Sequence, residues 1–207
     1  MSADAWERWA PDRPEDVAAV FAEADFPWWI AGGYAIELAV GRDLRPHGDL
    51  DVLILRRDQA HARDLLAGWD LYVADPPGRG QLRPWHPAET LRPPLHDIWC
   101  RRAAEAPWSM QLMLDEAEGT QWVSRRSPEI RLPISRLGRM SDTGVPYLAP
   151  EVQLFYKAKA TRGKDETDFD AALPLLDASE RAWLANAIEV IAPNHPWLRR
   201  LLPISRT

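Results

Sequence analysis

Two short stretches decide the fold of this chain: WWIAGGYAI at residues 28–36 and DLDVLIL at residues 49–55. In the first, an apolar run too short for a helix ends at Gly32 and Gly33, and helical spacing of apolar residues follows as far as Gly41. The second stretch opens with two aspartates, and its residues alternate between two faces, with Leu50, Val52 and Ile54 on one of them. The order strand, Gly-Gly, helix, strand predicts an α/β domain.

The two aspartates are Asp49 and Asp51, which are separated by one residue on the predicted strand 49–55. Because side chains on a strand alternate with a period of two, both carboxylates are expected on the same face. A hard divalent cation such as Mg²⁺ would offset their repulsion and leave positions for substrate phosphates. Gly32 and Gly33 stand where a strand gives way to a helix, so their N–H groups can face a phosphate unobstructed.

This arrangement resembles the nucleotidyltransferase superfamily of the DNA polymerase beta type, whose mark is Gly-Gly followed by paired aspartates. It is similar in particular to the small bacterial nucleotidyltransferases that modify aminoglycoside and lincosamide antibiotics. The resemblance covers residues 28–55 and rests on these positions: Gly32, Gly33, Tyr34, Ala35, Ile36, Gly41, Arg42, Arg45, His47, Asp49, Leu50 and Asp51.

The resemblance implies a mixed sheet flanked by helices at residues 1–145, the catalytic domain, and a small helical domain at residues 146–207. It also implies a reaction. An acceptor hydroxyl attacks the α-phosphorus of a nucleoside triphosphate, expected to be ATP, while Mg²⁺ clamps the phosphates and pyrophosphate leaves. The spacing of apolar residues predicts a first helix over 14–25. The proline content predicts a long loop over 76–94.

A third carboxylate normally completes such a site, as a metal ligand or as the base that takes the proton of the hydroxyl. Asp97, which opens a predicted strand, is our choice, and Asp115, which closes the next strand, is its rival. The position that aligns with the third acid of the lincosamide enzymes falls near Ser109, whose hydroxyl cannot replace a carboxylate as a metal ligand. The predicted catalytic and metal-binding residues are therefore Asp49, Asp51 and Asp97.

Nucleotide binding is expected from two further groups of residues. The first is Gly32 and Gly33 with Arg45 and His47, which precede the aspartates. The second is a cluster holding the three lysines of the chain, which otherwise uses arginine throughout. The cluster resembles the Lys-rich helical signature of the same enzymes, in which Lys157 or Lys159 meets the triphosphate and acidic neighbours help to orient it. Its residues are Lys157, Lys159, Lys164, Asp165 and Asp168.

The net charge, the apolar runs and the cysteine count limit the expected partners and the expected cellular location. The formal net charge of −6 argues against a protein that works by neutralising many phosphates of long nucleic acid. No apolar run approaches the roughly 20 residues of a bilayer span, and the polar N-terminus does not match a signal peptide. The single cysteine, Cys100, fits a reducing compartment. We therefore expect a cytoplasmic enzyme with no membrane partner.

The acceptor is the least determined part of the prediction. A small hydroxylated molecule, such as an aminoglycoside-like or lincosamide-like antibiotic, is the leading choice, because the motif match points to that branch. The alternatives are a toxin-type enzyme acting on tRNA or protein, and a catalytically degenerate nucleotide-binding module. Four tryptophans in the region expected to build the acceptor pocket could serve as aromatic walls or as core: Trp85, Trp99, Trp108 and Trp122.

Overall fold

The computed structural model describes residues 8–202 and contains ten strands and seven α-helices in that range. The helices are α1 (Pro14–Val20), α2 (Gly32–Val40), α3 (Gln59–Leu65), α4 (Pro150–Lys157), α5 (Gly163–Ala172), α6 (Ala178–Ile191) and α7 (Leu198–Leu201). The strands are β1 (Trp28–Ile30), β2 (Asp51–Leu55), β3 (Asp70–Ala74), β4 (Leu82–Pro84), β5 (Asp97–Arg101), β6 (Met110–Glu118), β7 (Gln121–Val123), β8 (Arg131–Pro133), β9 (Gly138–Met140) and β10 (Pro146–Leu148).

The strands form one mixed sheet in the order β4, β3, β5, β6, β2, β1, β10, β9. Strand β2 is central, pairing parallel with β6 and antiparallel with β1. The second half of β6 also pairs with β7, which pairs with β8, so this corner of the sheet extends toward the C-terminal helices. The predicted mixed α/β fold is confirmed.

The core explains why these segments take these positions. Residues 52–55 of β2 are fully buried, as expected for a central strand covered on both faces. Phe155, on α4, and Phe169, on α5, are also fully buried and join the same core cluster. The helical C-terminal part therefore packs on the sheet domain through a continuous apolar core. No helix within residues 8–202 is long and apolar enough to cross a membrane.

The structure corrects several predicted boundaries. β10 pairs with β1 and β9, so residues 146–148 belong to the sheet and the helical part begins at Pro150 instead of 146. The first helix ends at Val20, because the following residues form tight turns. The Pro-rich segment 76–94 contains β4. Strands β8, β9 and β10 have only three residues each, and such short segments show no readable periodicity.

Candidate active site

The Gly-Gly turn joins β1 to α2 beside the start of β2. Ala31 N donates to Asp51 O at 2.8 Å, and Gly32 N donates to Gln153 Oε1 of α4 at 2.8 Å. Gly32 has a φ of +69°, which disfavours other residues, and a Cβ there would lie 2.5 Å from Asp51 Oδ2. The glycine thus lets the Asp51 carboxylate lie directly against the N-terminus of α2.

Replacing Gly32 with alanine tests this close approach. Gly144, in the β9–β10 turn, has a φ of +81° and open space around the position of a Cβ, so it is a matched control. Both substitutions should lower the free energy of unfolding by about 1–2 kcal/mol through the left-handed backbone. Only Gly32→Ala should also displace Asp51 and reduce nucleotidyl transfer by about 100-fold. Denaturant unfolding and a transfer assay on both variants measure this difference, and equal activities would contradict it.

Asp51 is the first residue of β2, whereas Asp49 lies in the loop before it and is exposed. Strand β2 therefore begins two residues later than the predicted strand 49–55, and Asp49 lies in the preceding loop. Burial, then the charges of Asp49 and Asp97, raise the pKa of Asp51 to about 7, while Lys157 and Lys164 act to lower it. The charges of Asp49 and Asp97 thus both act on the Asp51 carboxylate, next to the Gly-Gly turn.

The strand register gives the position of Asp97, the predicted third acid. Asp97 pairs with Met113 of β6, which pairs with Leu53, so Asp97 lies on the same face of the sheet as Asp51. Gln111, directly opposite Asp51, donates to Asp97 Oδ1 at 3.1 Å. Gln111 is thus placed to orient Asp97 beside Asp51.

Asp115 has different surroundings. It pairs with Leu55, four residues along β2 from Asp51, and is fully buried. Trp122 Nε1 donates to its carboxylate at 2.5 Å, and the Tyr156 hydroxyl donates to it as well. Burial raises the pKa of Asp115. These contacts assign Asp115 to the packing between β6, β7 and α4.

The loop between α2 and β2 is organised by a residue that the sequence analysis did not single out, Glu37. Its Oε1 accepts hydrogen bonds from Leu44 N at 2.7 Å and Arg45 N at 3.1 Å, and lies 2.9 Å from His47 Nε2. The His47 ring stacks on Tyr34 at 4.1 Å between centroids. A Cβ at Gly33 would lie 2.2 Å from this ring, so the second glycine makes room for His47.

A buried network of charges connects this loop with the C-terminal helices. Arg45 Nη2 lies 3.1 Å from Asp168 Oδ2, and the same oxygen lies 2.7 Å from Lys157 Nζ. Lys157 also contacts Asp165 Oδ1 at 3.2 Å, and Arg162 Nε contacts Asp165 Oδ2 at 2.9 Å. Asp165 and Asp168 are each 1% exposed. The network therefore fixes the position of α4 and α5 relative to the Gly-Gly turn.

The two other lysines have free ammonium groups. Lys159 and Lys164 are exposed, and no carboxylate among residues 8–202 lies within ion-pair distance of either. Lys159 lines a cleft of about 340 Å³ whose walls also include Gly32, Asp51 and Arg125. A larger groove of about 960 Å³ lies along the end of α2 and contains none of the three predicted carboxylates.

Comparisons with known proteins show one similar sequence family and two similar folds. A family model described as aminoglycoside-2''-adenylyltransferase matches residues 15–73, which include the Gly-Gly turn and both Asp49 and Asp51. The structure of lincosamide antibiotic adenylyltransferase LnuA, with lincomycin bound, superposes with a TM-score of 0.55 at 13% identity. This match covers 82% of the present chain and 99% of LnuA. The chain has the nucleotidyltransferase fold.

A second solved structure gives the same result. ANT(2'')-Ia in complex with adenylyl-2''-tobramycin superposes on this nucleotidyltransferase fold with a TM-score of 0.54 at 17% identity, covering 86% of the present chain and 96% of the other. No curated protein sequence matches the chain. The resemblance recognised at residues 28–55 is therefore confirmed by the family model and by the fold.

Within the nucleotidyltransferase fold, most of the tryptophans considered for an acceptor pocket belong to the core. Trp85 is 5% exposed, and Trp108 and Trp122 are fully buried. Trp99 is partly exposed on β5, the strand that carries Asp97, and packs edge-on against Trp9 at 5.0 Å between centroids. Trp99 is thus the one member of the four that could reach a ligand near Asp97.

Some residues of the site were missed by sequence reasoning. Glu37 carried a readable signal, since it falls on the same helical face as Gly33, Ile36 and Val40. An acid on an apolar face indicates a buried partner. Gln111 and Gln153 carried no such signal, because their contacts depend on strand register and on how α4 packs.

Proposed function

We propose that the chain is a Mg²⁺-dependent nucleotidyltransferase that moves AMP from ATP onto a hydroxyl of a small antibiotic-like molecule. The observation that carries the proposal is the position of the Asp51 carboxylate against the Gly-Gly turn. The negative charges of Asp49 and Asp97 help to raise the pKa of this carboxylate. Two solved structures with this fold, LnuA and ANT(2'')-Ia, hold an antibiotic or an adenylylated antibiotic. We further propose a cytoplasmic location, where ATP is present.

The donor set fits a hard divalent cation. The raised pKa of Asp51 arises from burial and from neighbouring carboxylates, a repulsion that a bound cation would offset. Asp49 and Asp51 would hold the ion, with Asp97 as the further candidate ligand. Among residues 8–202 no three His, Cys, Asp or Glu side chains form a group that could hold a metal ion. Asp49, Asp51 and Asp97 are therefore not a preformed metal site, and substrate phosphates would have to complete the coordination. When bound, Mg²⁺ would neutralise charge on the phosphates.

In the proposed reaction the acceptor hydroxyl oxygen forms a bond to the α-phosphorus, and the bond from that phosphorus to pyrophosphate breaks. Asp97 accepts the proton of the hydroxyl, and Gln111 keeps its carboxylate in place by donating to Oδ1. Lys159 and Lys164 supply positive charge to the triphosphate. Arg45, His47, Lys157 and Asp168 act mainly by holding the loop and α5 in position, because each has at least one polar group engaged with another of the four or with a buried acid.

A transfer assay tests the proposal. ATP labelled at the α-phosphate is incubated with the protein, Mg²⁺ and a panel of lincosamides and aminoglycosides, and separately with total tRNA and a protein extract. We expect label in one antibiotic class together with an equimolar amount of pyrophosphate. Label in tRNA or protein alone would instead support the toxin-type alternative. Binding of ATP without release of pyrophosphate in any arm would indicate a degenerate module.

A further inference from the structure

One cation of the cleft is not explained by the residues discussed so far. Arg125 follows β7 and lines the same cleft as Asp51 and Gly32, with its side chain 23% exposed. From the sequence it reads as a solvated strand end. The structure instead places it on the wall of the candidate active site.

The guanidinium of Arg125 is held in place by only some of its hydrogen-bond donors. Its Nη1 donates to Asp115 Oδ1 at 3.3 Å and to Leu114 O at 3.5 Å, and the group lies 5.5 Å from the centroid of the Tyr156 ring. Both hydrogen bonds are long and use one nitrogen. No other hydrogen bond to this guanidinium occurs within residues 8–202. Most of its donors therefore remain available to a ligand.

Three other cations line the same cleft, and each is bound to groups of the protein. Arg126 donates to Phe155 O at 2.8 Å and to Tyr156 O at 2.6 Å, and burial lowers its pKa to about 10. Lys157 is bound by two buried carboxylates, and Arg162 is paired with Asp165. Arg125 thus keeps free donors on the wall of this cleft, and its planar fork suits phosphate oxygens.

The strand register gives the direction in which Arg125 lies from the reacting centre. Asp115, its anchor, is four residues along β6 from Gln111, which pairs with Asp51. At roughly 3.3 Å per residue, this separates Asp115 from the level of Asp51 by about 13 Å. Arg125 reaches from the Asp115 end into the cleft that Asp51 lines. Met113, between Gln111 and Asp115 on β6, lines the same cleft, so the cleft extends from the level of Asp51 toward Arg125.

We infer that Arg125 binds the terminal phosphates of the donor nucleotide and so the pyrophosphate that leaves. This inference rests on the proposed function and adds a residue outside the predicted set. Asp115 and the Tyr156 ring position the guanidinium, and the long contacts leave its other nitrogens to the phosphates. The charge that develops on the leaving pyrophosphate is thereby stabilised.

Calorimetry with inorganic pyrophosphate and with AMP, each in the presence of Mg²⁺, tests the role of Arg125. Arg125→Gln should weaken pyrophosphate binding by about 10- to 100-fold, because charged hydrogen bonds are lost, and should leave AMP binding unchanged. Arg131→Gln is the matched control, since Arg131 is an exposed β8 residue paired with Glu118 at 2.5 Å. This control should bind both ligands as the wild type does.

The outcomes separate the inference from the proposed function. Wild-type protein that binds neither pyrophosphate nor AMP would overturn both. Unchanged pyrophosphate binding by Arg125→Gln, with both ligands bound by the wild type, would overturn only the role of Arg125. Equal weakening of both ligands would assign Arg125 to structure and would also overturn the inference. If Arg125→Gln does not fold, as judged by thermal unfolding, Arg125→Lys replaces it, with pyrophosphate binding weakened several-fold and AMP binding unchanged.

Discussion

Replacing Asp51 with asparagine should reduce nucleotidyl transfer by about 10³-fold or more, because it removes the carboxylate charge that lies against Gly32. Asparagine keeps the size of the side chain, so the close fit against Gly32 is retained. Burial and the nearby carboxylates oppose ionisation of Asp51, so the variant should be at least as stable as the wild type. Release of pyrophosphate and the thermal unfolding midpoint measure the two effects.

The control for this prediction is Glu189→Gln, which removes an exposed acid near the end of α6. This variant should keep wild-type transfer activity and wild-type stability. If Asp51→Asn retained more than about a tenth of the activity, the assignment of Asp51 to the reacting centre would be wrong, since a single catalytic charge normally accounts for at least 10²-fold.

Lys157→Met should lower the free energy of unfolding by about 3–5 kcal/mol, which is the expected cost of breaking a buried ion-pair network from one side. Removal of the ammonium leaves Asp165 and Asp168, each 1% exposed, with one cationic partner fewer. Asp168 would keep Arg45, and Asp165 would keep Arg162. Urea unfolding of the purified variant gives the change directly.

Lys159→Met is the matched comparison, two residues away and exposed. It should change the free energy of unfolding by no more than about 0.5 kcal/mol, while the KM for ATP rises as a phosphate-binding charge is lost. The reverse pattern, with Lys157→Met stable and Lys159→Met destabilised, would show that Lys157 is free to serve the nucleotide and that the buried network contributes little.

The sequence by itself determined the local parts of the site. A strand followed by Gly32 and Gly33 and a helix that ends at Gly41 follow from short-range chemistry: backbone freedom and apolar spacing. Alternation also predicted the strand that carries Asp51, although the predicted start at Asp49 was two residues early. The nucleotidyltransferase fold followed from the same stretch, and the family model matches there as well.

Tertiary structure decided which predicted charges are paired inside the protein and which are exposed. Lys157 and Lys159 are two residues apart, look alike in sequence and both line the cleft. Lys157 is nevertheless buried between two acids, whereas Lys159 is exposed and has no ion pair within residues 8–202. Strand register puts both Asp97 and Asp115 on the face of Asp51, at the levels of residues 53 and 55 of β2. The full burial of Asp115, against the partial exposure of Asp97, distinguished the two acids. Register and helix docking depend on contacts between residues far apart in the chain, and local patterns do not encode such contacts.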